Sequence, residues 1–451
     1  MLVNDLGQFV AGVAWDTLPE DAAHAAKLRL LDVAGSALVG AYLGNHKRLM
    51  PLCAGPGPAH VWGAGARAGV RDAALVNSFL AHSTYLEDGS RHTGGHPSSV
   101  VIPAAVAVGE TLGSSGKDVA AAIVAGYEVF LRLGRAVYPA IVNRGFQSTA
   151  VLGAVSAAAA VASLLRLDAH AAKNALAIAC SLGGGLKEAL KSSGSQPLQV
   201  GRACEGGVMA ALFAQEGAQG ADSIIEQGFF KAFAGEAAMD LSGLGERYGI
   251  GDTYFKVHGG CRGNHAPTDL VLDLARRHAI AADQVERVAL GVDSVTFAAD
   301  IEHPATGDQA QFSAAFCAAS ALRHGDAAIF RFSDRELADA GTRALMARIT
   351  VMREPELDRG YPGKRGATAR IELKDGRVHQ GSIDNARGEP EAPFPESDIR
   401  DKYLKLSEPV LGAGASARLL EQVMRLEDMP DIGPMAACLA GEPSPDDRRR
   451  S

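Results

Sequence analysis

From Leu6 to about Gln215 apolar positions recur at three- and four-residue spacing almost without a break, which predicts a succession of helices. Thr17-Leu-Pro-Glu20 sets a hydroxyl before a proline and a carboxylate three residues on, a start signal for a helix over 21–41. Further helices are expected over 70–86, 99–112, 117–132, 149–165, 169–181 and 197–215. Their seams are crowded with alanine and glycine, which lets helix axes approach closely. The pattern then changes. Residues 285–292 alternate like a strand, as do 347–353 and 368–373, and Lys374-Asp-Gly-Arg377 signals a hairpin into a strand over 378–383. Helices over 309–322 and 333–346 fall between these strands. After the proline-rich stretch 388–395, helical spacing returns over 397–406, 416–426 and 435–441, and the polar residues 442–451 are expected to be disordered. The chain reads as mainly α with an inserted α+β domain. Its parts are a helical body over 1–266, an α+β lid over 267–391 and a returning helical tail over 392–451.

Bulk properties narrow the class. A length of 451 residues favours two domains. Hydrophobic content of 47% with 21% charged residues is ordinary for a soluble protein. A net charge of −8 and only 6% aromatic residues argue against nucleic acid as a partner. No basic segment followed by an apolar one marks a signal peptide at the N-terminus. The longest uncharged run, 145–165, could span a bilayer by length. Its Ala, Gly and Ser content, with Gln147, Ser148 and Thr149 at its start, predicts a packed interior helix instead, and no membrane is expected as a partner. Six cysteines without a CxxC pair read as free thiols in a reducing cytoplasm.

Chemistry concentrates at three loop-to-helix junctions. The first is Glu87-Asp-Gly-Ser-Arg-His-Thr-Gly-Gly-His96-Pro97-Ser-Ser, with Pro97 suited to the first helical position. His96 then sits at the helix start, where the N–H groups of Ser98 and Ser99 favour an anion and the dipole favours neutral imidazole. The second is Ser195-Gln196-Pro197-Leu198. The third is Cys261-Arg262-Gly263-Asn264-His265-Ala266-Pro267, opening a helix over 267–278. If the three converge, they form a cup of backbone donors and cations that suits a substrate with two or three carboxylates. His96 and His265 are the candidate acid and base, with Asp88, Tyr85 and Lys191 as further catalytic candidates. Arg262 is the best carboxylate clamp, because its fork matches a carboxylate. Lys256, Arg202, Gln196, Ser98 and Arg91 complete the candidate binding set. His92 and His96 have a spacing open to metal, but glycines lie between them and no third ligand is evident, so no metal is expected.

These junctions, with Gly145-Phe146-Gln147-Ser148-Thr149, Pro197-Leu-Gln-Val-Gly-Arg202 and Gln311-Phe312-Ser313, resemble the 2-methylcitrate dehydratase superfamily, called MmgE/PrpD. The resemblance covers essentially the whole chain. It implies an all-helical domain built from both chain ends, an inserted α+β lid, a homodimer, and catalysis without metal or organic cofactor in a cleft between the domains. The reactions it implies are dehydration of the 2-methylcitrate type, decarboxylation of the cis-aconitate type, or epimerisation of the iminodisuccinate type. Hydro-lyase chemistry on a small polycarboxylate is the leading expectation. A carboxylate-binding dimer without catalysis is the alternative of another class. Family catalytic roles carry onto His96 and His265. Two positions depart from the family pattern: Tyr85 stands where members often have aspartate, and Gln196 where many have lysine. Lys187, Lys191 and Lys256 are the candidates to replace that lysine.

Overall fold

The alanine and glycine seams have a direct consequence. In the helix pair Ser148–Leu164 and Ser195–Gln215, a Cβ on Gly207 would stand 2.5 Å from both the Ala154 carbonyl oxygen and the Ala157 Cβ. Only glycine permits that approach. The computed structural model describes residues 1–192 and 194–441, Lys191 by its backbone alone. The tail expected to be disordered lies outside the described residues. The described chain forms two units, Met1–Thr253 together with the segment from Pro395 onward, and Tyr254–Phe394.

The first unit is built on Leu2–Gly12, Glu20–Tyr42, Val70–His82, Ser98–Leu112, Gly116–Val137, Ser148–Leu164, Ala169–Ala179 and Ser195–Gln215. Side-chain caps mark where several begin. Ser115 accepts from the Asp118 N–H at 3.2 Å and Asp168 from the Ala171 N–H at 2.8 Å, each satisfying a donor that the first turn leaves open. The uncharged run 145–165 becomes the buried helix Ser148–Leu164, and no helix among the described residues is long and apolar enough to cross a membrane. The tail returns as Glu396–Leu411, Ala413–Met424 and Gly433–Ala440. Leu406 of the first packs against Gly35 of Glu20–Tyr42. The unit is not all-helical, however. Ala59–Val61 and Ala66–Ala68 pair antiparallel, a ribbon too short to show in the hydrophobic pattern. Tertiary contacts hold it: the Leu439 and Ala440 carbonyls accept from Gly63 and Gly65 N–H groups at 2.8 and 2.9 Å.

The second unit carries a four-stranded sheet in the order Ile349–Arg353, Val285–Val292, Ala367–Leu373, Val378–Ile383. The first pair is parallel and the other two antiparallel, with the expected hairpin turning at Gly376 in the left-handed region, φ +87°. Alternation puts Val288, Leu290, Ile371 and Leu373 into a core with Leu270, Val271 and Leu274 of the helix His265–Arg277 and Ala318 of Ala314–His324. Each of the two long helices expected here is broken. Ser313 caps the restart at Ala314–His324, and Asp339 accepts from Gly341 and Thr342 N–H groups at 2.9 Å to restart at Ala340–Met346. The boundary expected at 266/267 moves as well. Residues 254–266 belong with this unit, because Phe255, Gly259 and Cys261 N–H groups bond to carbonyls of Gly388, Ala327 and Gln311.

Candidate active site

The helix Val70–His82 ends four residues short of the expected 86, and that early stop builds the first polar cluster. The chain leaves the helix at His82 and passes Tyr85 at φ +52°, a conformation that a bulky side chain seldom adopts. It then places Glu87 against the helix end it has just left. His82 Nδ1 lies 2.6 Å from Glu87 Oε1, and both side chains are buried. Gln196, at the start of Ser195–Gln215, brings its amide nitrogen to 3.4 Å from His82 Nε2, and its Oε1 accepts from the Tyr85 hydroxyl at 3.5 Å. An amide N–H can only donate, so His82 Nε2 accepts and Nδ1–H points at the carboxylate. The His96 ring centroid is 5.3 Å from that of His82.

His96 precedes the helix Ser98–Leu112 by two positions, Pro97 being its cap residue. Its Nδ1 stands 2.7 Å from the Asp88 carbonyl oxygen and 3.7 Å from Glu87 Oε1. The carbonyl can only accept, so Nδ1 carries a proton, and in the neutral form of the ring Nε2 is the acceptor nitrogen. Of the two N–H groups expected to meet an anion at this helix start, that of Ser98 donates to Asp88 Oδ1 at 3.2 Å. Asp88 Oδ2 accepts from the Tyr127 hydroxyl at 3.0 Å. Burial raises the Asp88 pKa, and the buried Arg29 guanidinium works against that rise. Arg29 is itself held by Thr253, through Oγ1 and the carbonyl, each at 3.1 Å.

The remaining candidates of this unit divide. Arg202 is exposed and pairs with Glu205 at 3.0 Å. Arg91 Nε is 3.4 Å from His92 Nε2. The Lys191 side chain lies outside what is described; its backbone closes the 3-10 turn Lys187–Lys191.

The second cluster lies in the second unit. A 3-10 turn, Arg262–Asn264, leads into His265–Arg277, so His265 is the first helical residue rather than a loop residue before Pro267. Gly260, at φ +97°, lets the loop pass the Gln311 backbone; a Cβ there would stand 2.5 Å from the Gln311 carbonyl oxygen. Lys256, Arg262 and His265 are all buried. Arg262 pairs with Glu389 through Nη2, lies 4.9 Å from the Tyr254 ring centroid, and has no partner at Nη1. Burial lowers its pKa to about 10, which leaves it charged at neutral pH. Neither ring nitrogen of His265 makes a hydrogen bond. Burial first, then His258, Arg262 and Lys256, hold its pKa well below the ordinary histidine value. His258 is 5.4 Å away between ring centroids and bonds Asp269 at 2.8 Å.

Sequence reasoning missed His82, Arg29, Tyr127, His258 and Glu389, and named Glu87 only as the first residue of its junction. The five-residue step from His82 to Glu87 across a helix terminus was the available signal. Among the described residues, no group of three or more His, Cys, Asp or Glu is placed to hold a metal ion.

The chain is similar over nearly its full length to the cis-aconitate decarboxylase-like protein oryM of Aspergillus oryzae, with 27% identity over 474 residues and 97% of each chain covered. It is 26% identical over 469 residues to the cis-aconitate decarboxylase of Aspergillus terreus, covering 97% of this chain and 96% of that one. The Mus musculus cis-aconitate decarboxylase is 28% identical over 389 residues, covering 82% and 78%. Residues 4–242 match the MmgE/PrpD N-terminal domain and residues 258–428 the MmgE/PrpD C-terminal domain, so the chain belongs to the MmgE/PrpD family.

Proposed function

We propose that the protein is a lyase that breaks a bond beside a carboxylate of a small di- or tricarboxylate, without metal or organic cofactor. One observation carries the reading: buried cations, Arg262 and Lys256, lie within electrostatic reach of a histidine whose imidazole burial keeps neutral. An unaided carboxylate makes its neighbouring C–H very weakly acidic, so charge developing on that carbon needs preorganised cations and donors. The Arg262 fork suits one substrate carboxylate and Lys256 adds a point charge. His96, with Nδ1–H on the Asp88 carbonyl, is suited to pass a proton at Nε2, and Glu87 favours its imidazolium form once made. In the helical unit Asp88 acts as a positioning residue through Ser98 and His96, while Gln196 and Tyr85 orient His82.

Decarboxylation is the leading reading, supported by relatives named for it. The C–C bond to one carboxylate breaks, CO2 leaves, the electron pair stays on carbon and a histidine proton quenches it. A hydro-lyase of the 2-methylcitrate dehydratase type is the second reading, favoured by His265: a neutral imidazole can take the α proton while another group protonates the departing hydroxyl. NMR of cis-aconitate, 2-methylcitrate and related acids in D2O with a chelator present separates the outcomes. Loss of CO2 with one deuterium gained supports the first reading, and loss of water the second. Exchange without net change would instead mean an epimerase of the iminodisuccinate type. Binding with none of the three for every acid overturns the lyase. Activity that a chelator removes and one metal restores overturns the cofactor-free part.

A further inference from the structure

The loop carrying Tyr85, Glu87 and Asp88 is held from behind by a residue more than three hundred positions away. Lys402, on the returning helix Glu396–Leu411, donates from Nζ to Asp32 Oδ1 at 2.5 Å and to the Leu86 carbonyl at 2.8 Å. Leu86 lies in no helix or strand, between Tyr85 in its left-handed conformation and Glu87 on His82. Two directional bonds from one ammonium fix the 86–87 peptide relative to the helix Glu20–Tyr42, on which Asp32 sits. We propose that Lys402 is a positioning residue, whose hold on the Leu86 carbonyl sets where the Glu87 carboxylate meets His82.

The surrounding charges sharpen the role. Asp32, Glu87 and Asp88 are three buried carboxylates, and Arg29 and Lys402 are the cations facing them, with Tyr127 as a neutral donor on Asp88. Burial pushes Asp32 up to about 6 against the pull of Lys402, with Asp88 and Glu87 adding to the rise. Asp32 can therefore take a proton when Lys402 is removed, so Lys402→Met is expected to fold. A purely structural pairing, tail helix to Asp32, needs only the first bond. The bond to Leu86 is the one that reaches the histidine cluster.

The proposal rests on the lyase reading for its kinetic arm only. The first readout is the His82 Nδ1 proton, observed by NMR of protein labelled with nitrogen-15 at histidine. Its bond to Glu87 places it far downfield in the wild type. Lys402→Met should shift or lose that resonance, and should lower kcat roughly tenfold to hundredfold with a smaller change in KM, the penalty for a misplaced catalytic group. The double variant Asp32→Asn/Lys402→Met removes the charge imbalance yet still lacks the donor to Leu86. It should keep wild-type thermal stability while recovering neither the resonance nor kcat. A double variant that recovers the resonance overturns the proposal, since Lys402 would then only neutralise Asp32. So does a single variant with the wild-type resonance. If no acid turns over in any variant, the resonance decides alone, and the lyase reading fails separately.

Discussion

Lowering the pH should cost this protein stability through a residue whose charge its surroundings do not tolerate. His265 is 1% exposed and makes no hydrogen bond at either ring nitrogen. Burial, then the neighbouring His258, Arg262 and Lys256, depress its pKa well below 6.5. In the unfolded chain the same ring titrates near 6.5. Below that value the unfolded chain binds a proton that the folded one refuses, so stability present above pH 6.5 is lost as pH falls towards the folded pKa. One full proton of difference is worth about 1.4 kcal/mol per pH unit, and integration from neutral pH to 5.5 gives about 1.4 kcal/mol. The perturbation is His265→Gln, which fills much of the same space and cannot take up the proton. Urea denaturation of wild type and variant at pH 7.5 and 5.5 yields four stabilities. Any constant effect of the substitution cancels between pH values, and contributions from groups common to both, Asp32 and Asp88 among them, cancel between proteins. The variant should lose about 1.4 kcal/mol less than wild type over this interval. Equal losses in the two proteins would refute a neutral, buried His265.

Two substitutions probe the chemistry. His96→Ala should lower turnover by roughly the hundredfold expected for a general acid or base, with the helical circular dichroism unchanged; near wild-type turnover removes His96 from the mechanism. Arg262→Lys keeps the charge but cannot reach Glu389 and a carboxylate with one planar fork, so both KM and kcat should worsen. Wild-type constants in that variant would transfer the clamp to Lys256.

The path of the chain through the histidine clusters was legible only in part. His96 and His265 stood out because imidazoles beside glycines at helix starts are rarely needed for packing. Arg202, six residues beyond Gln196 on the same helix, faces roughly 120° away round the cylinder and is exposed on Glu205. Glu87 was visible as a charge at a helix end. Its partner was not, because the helix stops at His82 and Tyr85 turns the chain back, a local conformation that favours no bulky residue and that surrounding structure imposes.

The sequence by itself determined the order of the long helices and of the strands in the second unit, the Lys374–Arg377 hairpin and the place of the three junctions, since each rests on spacing within a few residues. Tertiary structure decided the rest. It spent the Ser98 N–H on Asp88 from ten residues earlier, tied Leu86 to Lys402, and paired short strands through carbonyls near the far end of the described chain. It also set the protonation of His265. Neighbouring residue types can favour a neutral ring, but a shift this large comes from removing water, and burial belongs to the folded chain, not to any stretch of its sequence.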